Sequence, residues 1–126
     1  MKVAIVDWKG KWAARPYLNR FRDHGIEYLF SDSLEDFISE HKSFSGCNGA
    51  IVHINYDSEN GGVDESELSD ITALVGIPWV RAAYGRVGYK DMQERPIPKF
   101  SLTEFDFEEF ERYLVNVKKT GREKHG

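Results

Sequence analysis

The chain has one cysteine, four prolines and no long apolar run, and each shortage excludes something. The lone Cys47 cannot close an internal disulfide and no Cys/His spacing suits zinc, so a reducing, cytoplasmic setting is expected. The longest apolar stretches are a few residues each, far below the roughly 20 that cross a bilayer, so no membrane association is expected. Val3-Ala4-Ile5-Val6 runs at once into Asp7, too short a stretch for a signal peptide. Basic charge is scarce as well. Seventeen Lys and Arg against 21 Asp and Glu leave a formal −4, with no positive field to gather phosphates, which disfavours nucleic-acid binding. What is present, over 126 residues, is 40% apolar side chains, with aromatics at 13% of the chain. That is enough for one core and excludes global disorder.

Short apolar runs alternate with helix-period segments. Lys2 to Trp8 (KVAIVDW) reads as a strand buried on both faces, because its centre is continuously apolar. A helix entered at Pro16 follows, with Leu18 and Phe21 inward and Gly25 as its C-cap. Ile26 to Phe30 is a second strand, and Ser33 opens a helix with Leu34, Phe37, Ile38 and His41 on its inner stripe. Gly49 to Asn55 is a third strand. A helix with Leu68, Ile71, Leu74 and Val75 ends at Gly76. Ile77 to Ala83 is a fourth strand, and Ile97 to Leu102 a fifth, whose Pro98 suits a sheet edge. Phe107, Phe110, Leu114 and Val117 then mark a strong helix, with N-terminal signals at Asp106 and Glu109. Residues 1–119 form one domain on this reading, and 120–126 a polar, disordered tail. The alternation predicts an α/β fold: a parallel five-stranded sheet in the order 2-1-3-4-5, in a flavodoxin-like three-layer α/β/α sandwich.

In such sheets ligands lie beyond the carboxyl ends of the strands. That rim receives Asp7 and Trp8, then His53, Asn55 and Asp57, then Ala82, Ala83 and Tyr84. Asp7 reads either as a ligand or as a turn cap, and His53 either as a base or as a satisfied core histidine. Asp57, Glu59, Asp64 and Glu65 surround Gly61-Gly62 without EF-hand or phosphate-loop spacing, so they read as a solvated loop. Trp8, Trp12, Tyr84 and Tyr89 are candidate binding aromatics at the rim. Arg81, Arg86, Lys90 and Arg95 give a local basic stretch, read as solvated charge, and Cys47 reads as inert.

In order and spacing, the opening KVAIVD, the stretch IPWVRAAYG and the closing LTEFDFEEFERYLVNVKK resemble a response-regulator receiver domain over nearly the whole chain. A receiver places an acidic pair after its first strand, where this chain has Asp7 and Trp8. Its phosphoacceptor ends the third strand, here His53 or Asn55. Its hydroxyl residue ends the fourth, here Ala82 and Ala83, and its lysine ends the fifth, here close to Thr103. Only Asp7 matches. One carboxylate is a poor Mg²⁺ site. The resemblance therefore implies a degenerate, phosphorylation-independent pseudo-receiver with no cofactor and no metal. It would act through a protein partner or as a homodimer, on a face including Tyr89, Ile97, Phe100 and part of the last helix. The alternative is a small flavodoxin-like enzyme or ligand-binding domain, with Asp7, His53 and Asp57 as acid/base groups and a small molecule as ligand.

Overall fold

Continuous apolar runs make strands that are covered on both faces. β1 (Lys2–Val6), β2 (Glu27–Ser31), β3 (Gly49–His53), β4 (Trp79–Ala83) and β5 (Lys99–Ser101) form one sheet in the order β2-β1-β3-β4-β5. Every neighbouring pair is parallel, with Val3 opposite both Tyr28 and Gly49, and His53 opposite Ala82. Among the described residues the α-helices include α1 (Lys11–Asp23), α2 (Leu34–Ser39), α3 (Ile71–Val75) and α4 (Phe107–His125). This computed structural model describes the chain apart from residues 8–10, 55–62, 66–67, 69–70, 84–88, 91, 93 and 126. It gives backbone alone at helical positions 11–15, 17, 73 and 118–125.

Period-two alternation sorts the core into two layers. Val3, Ile5, Ile51, Val80, Ala82 and Phe100 face Leu18 and Phe21 of α1 and Phe107, Phe110 and Leu114 of α4. Ala4, Val6, Ala50, Val52, Trp79 and Ala83 face Phe37 of α2 and Ile71 of α3. Helices on both sides of a parallel sheet make the flavodoxin-like sandwich that the alternation predicts. Among the described residues, no helix is long and apolar enough to cross a membrane.

Local chemistry sets the element ends. Ser33 Oγ accepts the amide of Asp36 at 3.0 Å, capping α2, and Asp106 Oδ1 accepts that of Glu109 at 3.0 Å, capping α4. Gly25 sits at φ 72°, where its amide bonds the Arg22 carbonyl and the next amide, Ile26, bonds Phe21. That pair of bonds is a Schellman ending, and it places Ile26 in the same core layer as Phe21. Gly49 is favoured for a different reason. A Cβ there would lie 2.6 Å from Leu114 Cδ2, so any larger residue would make the Leu114 side chain of α4 shift.

Some boundaries differ from expectation. Pro16 lies inside α1 rather than opening it; the helix starts at Lys11, and the exposed ring breaks only one rung of the hydrogen-bond ladder. β1 ends sooner than its run KVAIVDW suggests, whereas β4 ends at Ala83 as read and β2 runs one residue further, to Ser31. β1 stops at Val6 because Asp7 turns to φ 59°, a left-handed conformation that Asp tolerates. α4 runs on to His125, through the segment read as a polar tail.

Cys47 packs under the start of β3, in the layer with Phe37 and Phe44. Burial pushes its thiol above the ordinary value, with Lys2 pulling weakly the other way. The folded chain thus holds this proton to higher pH than the unfolded chain. That stabilisation is complete below the unfolded thiol pKa and is lost as pH rises from there through the folded value. We expect slow labelling by a thiol-specific disulfide reagent at neutral pH and fast labelling in urea. The alkaline fall in stability should be shallower in Cys47→Ala than in the parent chain.

Candidate functional site

Connections leave β1 and β3 on opposite faces, since β1 is followed by α1 and β3 by α3. The crevice between their carboxyl ends is the topological switch point. Two sequence candidates meet there. His53, 4% exposed, ends β3 and holds its Nδ1 at 3.1 Å from the main-chain carbonyl of Asp7. A carbonyl only accepts, so Nδ1 carries a hydrogen and donates it. The bond runs to the backbone of Asp7 rather than to its carboxylate. The Asp7 amide in turn donates to the Ser31 carbonyl at 3.0 Å, tying the turn to the end of β2. His53 therefore bridges β3 to β1 across the crevice.

The neighbouring strand ends are plain. β4 finishes with Ala82 and Ala83, both buried. β5 finishes with Ser101, whose hydroxyl lies 2.8 Å from that of Thr103, and the Thr103 carbonyl accepts Arg20 Nη1 at 3.4 Å. Beyond β3 the chain returns at Val63, whose amide donates to the His53 carbonyl at 2.8 Å. Asp57, Trp8 and Tyr84 lie outside the described residues, as does the side chain of Trp12. Among the described residues, no three His, Cys, Asp or Glu converge as a metal site.

One strong constellation was not expected. Arg81, read from sequence as solvated charge, is 1% exposed at the centre of β4, on the face it shares with Trp79 and Ala83. Its Nη1 donates to Glu65 Oε1, and its Nη2 donates to the Ile97 carbonyl at 2.7 Å. Glu65, read as part of a solvated loop, is itself buried. The guanidinium fork thus joins the β3–α3 connection to the approach to β5. Its sequence signal was the position of an arginine between Trp79 and Ala83 in an inward-facing register.

On the β5 side a groove of about 240 Å³ is lined by Tyr89, Lys99, Phe100, Ser101, Glu104, Asp106 and Glu109. Tyr89 is exposed, and Lys99 Nζ sits 5.0 Å from its ring centroid and 3.1 Å from Glu94 Oε1. Phe100, expected on a partner-facing surface, instead belongs to the core. It is 3% exposed, with its ring centroid 4.6 Å from that of Phe105. Its side chain, alternating with those of Lys99 and Ser101, faces the α1/α4 layer, and Phe100 is one of the residues that line the groove.

No protein-family model matches the sequence, and neither the curated proteins nor the solved structures give a match.

Proposed function

We infer that the chain is a phosphorylation-independent, receiver-like regulatory module that acts through protein contacts in the cytoplasm. The observation that carries this reading is the end of β3. Of the two residues matched to a phosphoacceptor by the sequence resemblance, Asn55 lies outside the described residues and His53 is buried and engaged with the Asp7 carbonyl, while β4 ends in two alanines rather than a hydroxyl. A carboxylate that gains a phosphoryl group needs a metal beside it and a hydroxyl to read the new charge. Partner contacts then fall to the groove beside β5, which Tyr89 and Lys99 line together with the acidic Glu104, Asp106 and Glu109.

Thermal unfolding with Mg²⁺ and beryllofluoride, a phosphoryl mimic, tests the reading. No shift in Tm is expected, and acetyl phosphate should add no phosphoryl mass. A ligand held at 100 times its Kd would stabilise the fold by about 2.7 kcal/mol, a shift of several degrees. A shift of that size would overturn the reading and return the rim to metal and phosphoryl chemistry. In extracts of the native cell, the tagged chain should hold its partner with or without Mg²⁺, and Tyr89→Ala combined with Lys99→Glu should release it.

A further inference from the structure

The two edges of the sheet are built differently. β5 is three residues long, is approached through Pro96 and Pro98, and opens on Lys99, all features that discourage a further strand. β2 has none of them. It runs for five residues, EYLFS, and among the described residues no strand pairs with its outer side. Leu29 at its midpoint is 37% exposed, with the half-buried Tyr28 and Phe30 on either side.

Hydrogen-bond parity fixes which main-chain groups face out. The Glu27 amide donates inward to Met1, and the Ser31 carbonyl accepts inward from Asp7. In a parallel ladder the odd positions thus serve β1, so the N–H and C=O groups of Tyr28 and Phe30 point away from the sheet. We propose that two copies of the chain pair antiparallel through β2, centred on Leu29, joining their sheets into one.

The segment is self-complementary in that register. Tyr28 lies opposite Phe30 of the second copy, and each pair exchanges two main-chain bonds through the outward groups. Leu29 meets its own counterpart in the closer, non-hydrogen-bonded position between them. Both aromatics share one face, so the pairing also places ring against ring across the joint. Charge agrees with the antiparallel sense. A cleft of about 370 Å³ at the start of β2 is lined by Lys2 and Arg22 together with Glu27, Tyr28 and Leu29. Just past the other end stand the exposed carboxylates of Asp32, Glu35 and Asp36. An antiparallel partner brings its acidic end to this basic cleft, twice by symmetry, whereas a parallel one would set like charges together. Glu27, the one acid in the cleft, falls opposite Ser31. The proposal does not rest on the functional reading above.

Sedimentation equilibrium on the purified chain, with disulfide trapping, tests it. The parent chain should form a reversible dimer at micromolar concentration, and Leu29→Lys should raise the dissociation constant at least tenfold with the circular dichroism unchanged. In a Cys47→Ala background, Leu29→Cys should give a covalent dimer under mild oxidation, because paired Cα atoms about 4.5 Å apart fall within disulfide reach. Glu27→Cys, on the same face but two residues off centre, should stay monomeric, its counterparts being about 13 Å apart. A parent chain that remains monomeric, a Leu29→Lys dimer of unchanged strength, or equal trapping at 27 and 29 would each overturn the proposal.

Discussion

Replacing Phe110 by alanine should remove about 3–5 kcal/mol of stability, a large part of the roughly 5–15 kcal/mol that holds a domain of this kind folded. The side chain is fully buried, and its ring centroid lies 5.3 Å from that of Phe105 and 6.4 Å from that of Phe100, in edge-on contacts. Phe105 in turn stacks obliquely on Phe21 of α1, at 4.9 Å. The truncation therefore opens a hole where α1, β5 and α4 meet, and rigid rings on every side limit its collapse. Urea unfolding followed by circular dichroism measures the loss. The midpoint should fall with little change in slope, since the same surface is exposed on unfolding. Val115, on the same helix but 63% exposed, provides the control: Val115→Ala should change stability by no more than about 0.5 kcal/mol. Equal effects at the two positions would contradict the packing described.

Glu65→Ala should be comparably damaging, by about 3–5 kcal/mol, although the residue belongs to a connection and not to a helix or strand core. Arg81 is buried, and removing Glu65 takes away the carboxylate that its Nη1 donates to. A guanidinium cannot shed its proton to escape, so the cost falls on the folded state. The paired replacement distinguishes charge from shape. Arg81→Met with Glu65→Leu removes both charges while keeping apolar volume, and it should recover most of the loss seen in Glu65→Ala. If the double variant is as unstable as the single one, the pair contributes by packing or by the Ile97 hydrogen bond rather than by compensating charge. Equilibrium urea unfolding of the three variants decides between these outcomes.

These two positions also show what could be read from the sequence. The aromatic core was legible. Phe107, Phe110 and Leu114 repeat at helical spacing, the VAIV and GAIV runs are continuous, and Ser33, Asp106, Gly25 and Gly76 punctuate them with chemistry that acts over four or five residues. Sheet order followed because parallel strands joined by helices admit few arrangements. The ion pair was not legible. Arg81 reads with Arg86, Lys90 and Arg95 as one solvated basic stretch, although a central strand of a sheet covered on both sides leaves it no outward face. Its partner lies 16 residues away in a loop that composition alone marks as solvated. The burial of Phe100 was hard to read for a related reason, since a three-residue strand offers too few alternations to show which side is covered. At the rim, the sequence brought Asp7 and His53 to the same crevice. It could not show that the imidazole engages the Asp7 backbone, because a main-chain carbonyl leaves no mark on residue type.

The all-parallel sheet has a consequence for how the chain reaches its fold. No two neighbouring strands are joined by a tight turn, and every pairing must close a loop of a dozen residues or more before any ladder bond forms. β1, synthesised first, must wait for both β2 and β3 before it is enclosed. Refolding from denaturant should accordingly be slower than that of a helical bundle of equal length. During that interval the apolar runs that end as the sheet centre stay open to other chains.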